Sequence, residues 1–296
     1  MKLRHLIFTG FFAASGLSQA AIVVDGDISD WIGTPTGSPD DWTATDSGVK
    51  SWIEDQGVSY LDPGFGGQTY DAEAIYVKME SDAIKLAIVT GLAPDSTIQY
   101  PAGDIAFDFG FQHDASKPTT EILNRSFEFG LVTLQDATGI SAAAGTLYQV
   151  DPVNGWNYGL WNGSNSPKGG NAASDFNKAH PTTIKELTGT NDPTELGNTS
   201  SASNPVEFSY GLLGTNSAPL AIGNNGGKHY LIEASIPWAL FPDSATLMQQ
   251  SLLVHWTMAC ANDFVEVDPP AGAVPTPAPM LLFLAGLLPL LRHRRH

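Results

Sequence analysis

The sequence predicts an all-β fold, a β-sandwich with jelly-roll-like connections, and three observations predict it. Apolar residues alternate with period two in several short stretches: Ile75, Val77 and Met79; Ile84, Leu86 and Ile88; Ile105, Phe107 and Phe109. Gly, Pro, Asn, Asp and Ser, the residues of turns, fill the stretches between them. The body between the two chain ends has about 250 residues, enough for one sizeable domain or one domain with a long insertion.

The chain starts with a positive cluster (Lys2, Arg4, His5), an apolar run from Leu6 to Leu17, and Ser18-Gln19-Ala20. That order is a secretory signal over residues 1–20, cut by signal peptidase between Ala20 and Ala21. The alternative is a retained anchor, against which Gly10 and Gly16 break a short run. The domain then spans 21–268. Ala21 to Val24 reads as a short strand, and Asp25-Gly26 as a turn. Asp25, Asp27 and Asp30 are hard oxygen ligands suited to a structural Ca²⁺, joined by Asn262 and Asp263 near the end of the domain. The same string reads otherwise as an Asp-rich turn with Trp31 packed beneath it.

The string Asp25-Gly-Asp-Ile-Ser-Asp-Trp31 resembles the start of carbohydrate-binding module family 9 type sandwiches and of DOMON-like domains. The pair of stretches Asp71–Lys78 and Ile84–Val89 is similar to a core hairpin of the same type, and Glu233-Ala-Ser-Ile-Pro237 to its last strands. The resemblance implies a sandwich and a sugar ligand. Residues 33–70 form a long structured connection whose aromatics, Trp42 and Trp52, pin it to the sandwich.

Strands are expected at 74–79, 83–90, 103–110, 126–134, 145–150, 228–236 and 252–258. Asp104, Ala106 and Asp108 share one face of the third, with the two acids expected to be solvated. They sit about 13 Å apart along a strand, too far to flank one glycosidic bond. Trp156, Tyr158 and Trp161 lie among Asn and Gly between Asn154 and Gly163. Flat rings with nearby amides suit a sugar-stacking platform; the alternative is a hairpin whose aromatics enter the core. From about 163 to 228 the chain is a long Gly/Asn/Ser-rich loop insertion, with short helical turns expected at Thr182–Leu187 and a strand starting near Phe208 and Tyr210.

Cys260 is the chain's one cysteine and reads as a small buried side chain. His255-Trp-Thr-Met-Ala-Cys260-Ala-Asn-Asp263 resembles a segment found before the tail of a group of exosortase-dependent surface proteins. Ala261 stands where that group has Gly at a tight turn. After a linker at 269–273, the tail 274–296 has three parts. Val274-Pro275-Thr276-Pro277-Ala278-Pro279 precedes an apolar run from Met280 to Leu291, a short C-terminal hydrophobic helix. Arg292, Arg294 and Arg295 close it. Twelve helical residues reach ~18 Å against a hydrocarbon core of roughly 30 Å, so the run is short for a permanent anchor. The basic end is held in the cytoplasm, which places the body on the far side. The layout resembles a PEP-CTERM sorting signal, with Thr276 in place of the family's Glu. The resemblance implies a Gram-negative bacterium, a transient membrane association through the tail, and processing by an exosortase; an unprocessed tail would leave a membrane-anchored protein.

The body carries nine basic residues against 31 acidic ones, a formal charge of −22. That argues against nucleic acid and anionic lipid as partners and suits cations and neutral glycans. No metalloprotease, nucleophile-elbow, phosphate-loop or Cys-x-x-Cys motif is present. The expectation is a non-enzymatic cell-surface or extracellular-matrix protein associated with exopolysaccharide, with no cofactor beyond a structural Ca²⁺. A secreted polysaccharide hydrolase and a purely structural envelope protein are the alternatives.

Overall fold

A computed structural model describes residues 21–34, 39–53, 67–111, 125–135, 139–159, 180–187, 189, 191–213, 228–261 and 263–268. The expected signal segment, the expected sorting tail, Trp161 and Asn262 lie outside the described residues. Two antiparallel sheets pack face to face. The first has the order β1 (Lys50–Ile53), β2 (Ala72–Met79), β3 (Ala83–Thr90), β11 (Tyr230–Pro237), β10 (Glu207–Leu212). The second runs β13 (Phe264–Val267), β12 (Leu252–Thr257), β4 (Ile105–Phe109), β5 (Phe129–Leu131), β6 (Leu147–Gln149), β9 (Thr194–Gly197). A separate pair, β7 (Trp156–Tyr158) and β8 (Pro181–Ile184), completes the strands of the described residues. Two single-turn helices occur among the described residues, α1 (Ser29–Ile32) and α2 (Ser244–Leu247). Among the described residues no helix is long and apolar enough to cross a membrane.

The expected alternation builds the space between the sheets. Ile75, Val77, Met79, Ile84, Leu86, Ile88, Ile232, Ala234 and Ile236 of the first sheet meet Ile105, Phe107, Phe109, Leu252, Val254 and Trp256 of the second. Period-two side chains put one set on one face, and burying each large apolar side chain stabilises the sandwich by about 1.5–3 kcal/mol. Cys260 is buried in this cluster.

Both sheets are also covered on their outer faces. Over the first, Ile22, Ile28, Trp31 and Trp42 pack on Ala74, Tyr76, Ala87, Val89 and Leu231. The Tyr76 hydroxyl donates to the Trp42 carbonyl at 2.7 Å, so this connection is pinned by its aromatics. Lys78 reinforces it through Asp46 at 2.8 Å. Over the second, Phe127, Trp156 and Ile184 pack on Ala106, Tyr148 and Leu253. Gly130 makes room: a Cβ there would lie 2.7 Å from Trp156 Cη2 and 2.8 Å from Ile184 Cδ1.

This outer layer corrects several expectations. Asp104 and Asp108 do face outward from β4, but each is only 3 % exposed. They are buried because they bond backbone donors of the covering segments. Asp104 accepts from Thr133 N at 3.2 Å and Ile184 N at 2.8 Å, and Asp108 from Ser126 N at 2.9 Å. Besides β10, the strand expected near Phe208 and Tyr210, the expected loop insertion holds β8 and β9, and β8 replaces the helical turns expected near Thr182. Its Thr-rich sequence lacks apolar alternation because Asp104 and β7 satisfy its backbone. Ala21–Val24 is not a strand: Val23 N donates to Asp30 Oδ2 at 2.7 Å rather than to a ladder. Ala261 keeps the tight turn expected of Gly, at φ 54°.

Candidate functional site

The Asp25–Asp30 turn lies on the outer face of β11. Glu233 anchors it, accepting Asp25 N at 3.2 Å and Gly26 N at 2.7 Å on Oε2, and Trp31 Nε1 at 3.1 Å on Oε1. Within the turn Asp25 Oδ1 caps Asp27 N, and Asp27 Oδ1 caps Ser29 N, both at 2.9 Å. The Asx-turn geometry and the buried Trp31 beneath follow from short side chains bonding their own backbone two residues on. Asp30 Oδ1 is buried without a hydrogen-bond partner. Burial raises the Asp30 carboxyl above its ordinary pKa, and the charges of Asp25 and Asp27 add to the effect. Burial likewise pushes Glu233 up to about 7, with Asp30 and Asp25 contributing. Four carboxyl groups thus crowd one turn, and a cation held there would relieve their repulsion.

Asp263 does not join them. It sits at the start of β13, where Oδ2 accepts Ala72 N at 2.9 Å and Oδ1 accepts Phe264 N at 3.0 Å. Through the register, Glu233 faces Ala87, which faces Tyr76, four positions from Ala72. At ~4.8 Å between strands and ~3.3 Å per residue, the two carboxylate groups attach about 16 Å apart on the sheet. One ion cannot take both as ligands.

Trp156 belongs to the outer core. It is 3 % exposed, donates Nε1–H to the Phe127 carbonyl at 2.9 Å, and packs edge-on against the Phe127 ring. A sugar needs an open ring face, and Trp156 offers none, so it is a packing residue rather than a platform residue. Tyr158 is half-buried at the end of the same strand. Asn157 beside it donates from Nδ2 to Thr183 Oγ1 at 3.0 Å.

A cluster not singled out by sequence reasoning lies beneath β8 on the outer face of the second sheet. His255 on β12 and Glu266 on β13 are direct cross-strand partners. His180, just before β8, brings its ring within 5.1 Å of the His255 ring and 4.0 Å of the Phe264 ring, centroid to centroid. Arg125 grips Glu266 with two bonds, Nη1 to Oε2 at 2.6 Å and Nη2 to Oε1 at 2.9 Å. Burial would raise the Glu266 carboxyl, but the Arg125 guanidinium, with His255 and His180 adding to it, outweighs burial and holds the group well below the usual carboxylate range. Burial lowers His255, which keeps its imidazole neutral. Asp108 feels the Arg125 charge, and Glu128 lies beside Asp108. Burial pushes them up to about 6 and about 7, and the Asp108 charge adds to the rise at Glu128.

One sequence signal could have found this cluster. His255 interrupts an apolar strand, Glu266 interrupts the next, and the turn between them sets their register. His180 carries no such signal, because only the docking of β8 brings it near. No family model matches the chain, and a search of curated proteins finds no match to it.

Proposed function

We propose that the chain is an exported β-sandwich whose tail is processed by an exosortase and which serves, without catalysis, at the cell surface or in the extracellular matrix in association with exopolysaccharide. The observation that carries this reading is the sandwich itself, set between two ends whose sequences read as targeting signals. The strings similar to family 9 type modules lie in the turn leading into α1 and on strands β2, β3 and β11. The −22 body favours cations and neutral glycans over anionic surfaces.

In this reading Tyr158 and Trp161 offer the sugar contacts, and Trp156 supports them from the core. A structural Ca²⁺ is held at the turn by Asp25, Asp27 and Asp30, with Glu233 tying the turn to β11. Two measurements test the proposal. Mass spectrometry of the mature C-terminus, with and without the cognate exosortase, gives a trimmed tail only in its presence; an intact tail in both refutes the processing. Polysaccharide pull-down is retained by the native protein and weakened by Tyr158→Ala and Trp161→Ala. Absence of binding, or binding indifferent to both substitutions, removes the glycan from the reading.

A further inference from the structure

We propose that His180, His255 and Glu266 form a binding site for one divalent first-row transition-metal ion, with two imidazole nitrogens and one carboxylate oxygen as protein ligands. The site is independent of the Asp25 turn and of any glycan.

The geometry carries the proposal. One ligand atom from each residue lies within 4.8 Å of the others. A tetrahedral ion with bonds of about 2.0–2.1 Å holds its ligand atoms about 3.4 Å apart, so the donors close by up to about 1.4 Å. The His180 ring, packed on Phe264 just before β8, has to shift to supply that. His255 and Glu266 are fixed opposite each other by the β12–β13 register, with His255 Nδ1 3.4 Å from Glu266 Oε2. That approach is too long for a well-formed hydrogen bond.

His255 provides a second, separate observation. It is 0 % exposed, and neither ring nitrogen has a hydrogen-bond partner. Buried polar groups in folded proteins almost always have one, and an exception calls for an explanation such as an absent ion. The rings around it, Phe127 and Phe264, have no acceptor to offer.

Charge and ligand chemistry agree. A metal takes neutral imidazole and ionised carboxylate as ligands. Arg125 bonds both Glu266 oxygens and each keeps a further lone pair, so the guanidinium serves as an outer partner that orients the ligand. Two nitrogens with one oxygen select Zn²⁺, Co²⁺ or Fe²⁺ over Ca²⁺ and Mg²⁺, which prefer all-oxygen shells. The Glu266 side chain is 21 % exposed, which gives the ion access and leaves a coordination position for water.

The test uses the exported protein, stripped with a chelator and titrated with Zn²⁺ against a chromophoric competitor, then with Co²⁺ followed by its visible absorption. The expected result is one ion per chain, a higher thermal midpoint, and Co²⁺ bands of a four- or five-coordinate site with mixed nitrogen and oxygen ligands. Excess Ca²⁺ leaves the affinity unchanged. His180→Asn and Glu266→Gln each weaken binding by at least tenfold, and Arg125→Lys by about 10–100-fold. His255→Gln sits in the buried sheet and is read only if it folds; His180→Asn, at a strand end, carries the test otherwise. Failure of the folded native protein to bind Zn²⁺ stoichiometrically overturns the proposal. So does binding that survives His180→Asn and Glu266→Gln at full strength, since the ion would then sit on other residues.

Discussion

Replacing Trp156 with alanine separates a packing role from a sugar-binding one. The side chain is 3 % exposed, it fills the gap left by Gly130, and its Nε1–H satisfies the Phe127 carbonyl. Truncating a buried Trp costs about 3–5 kcal/mol through lost transfer energy and the cavity left behind. The abandoned Phe127 carbonyl places Trp156→Ala in the upper part of that range. For a domain of this size each kcal/mol lowers the melting temperature by about 2–4 °C, so the variant melts roughly 10–20 °C below the native protein. Trp156→Phe keeps most of the volume and loses only part of this stability. Urea unfolding followed by far-UV circular dichroism measures both, alongside polysaccharide pull-down at a temperature where each variant is folded. A Trp156→Ala protein that loses less than about 1 kcal/mol yet no longer binds polysaccharide would refute the reasoning, because a stacking residue behaves that way and a core residue does not.

The remaining predictions concern the outer layers. Gly130→Ala pushes a methyl group against the Trp156 and Ile184 side chains and costs about 1–3 kcal/mol in the same unfolding assay; an unchanged midpoint would mean that β7 and β8 do not rest on β5. Arg125→Met leaves the Glu266 carboxylate in a half-buried site without its partner, and a loss of about 3–5 kcal/mol is expected; full stability would dissolve the pair's structural role. Asp104, Asp108, Glu128 and Glu233 have carboxyl groups raised to about 7, 6, 7 and 7 by burial. A raised group contributes stability that is present below its unfolded pKa and lost as pH climbs through the folded value. Glu266 has the opposite sign: its contribution is present above its ordinary pKa and lost as pH falls below that value. Thermal midpoints are therefore expected to peak on the acid side, near about pH 5, and to decline toward pH 8, with Asp104→Asn flattening the decline. A midpoint that climbs steadily from pH 5 to 8 contradicts these burial arguments. Adding Ca²⁺ raises the native midpoint, and Asp27→Asn or Glu233→Gln reduces that gain; a midpoint indifferent to Ca²⁺ leaves the turn as a self-capped Asp cluster.

The two polar clusters that carry the functional readings differ in how they are built. The Asp25 turn is local: its acids lie within six residues and bond their own backbone, and only Glu233 comes from afar. That locality made Asp25, Asp27 and Asp30 visible as a group, although it could not show that Asp263 spends its carboxylate on Ala72 and Phe264. The cluster of His180, His255, Glu266 and Arg125 draws on β12, β13 and the segments before β5 and β8. Its members share no spacing, so no motif announces them.

The sequence alone determined the inner sandwich. Alternation at Ile75, Val77 and Met79, at Ile105, Phe107 and Phe109, and at Ile232 and Ala234 is a property of neighbouring residues on one strand, and it names the face that leaves water. What covers the opposite face is not written in that pattern. The same outward positions take Tyr76 under Trp42, Ala106 under Trp156, Asp104 capping Ile184, and His255 beside His180. Each of those pairings joins segments far apart in the chain. Only tertiary packing decides whether an outward acid, ring or imidazole meets solvent or a second layer, because desolvation depends on everything that closes over a residue and the local period records only one side of it.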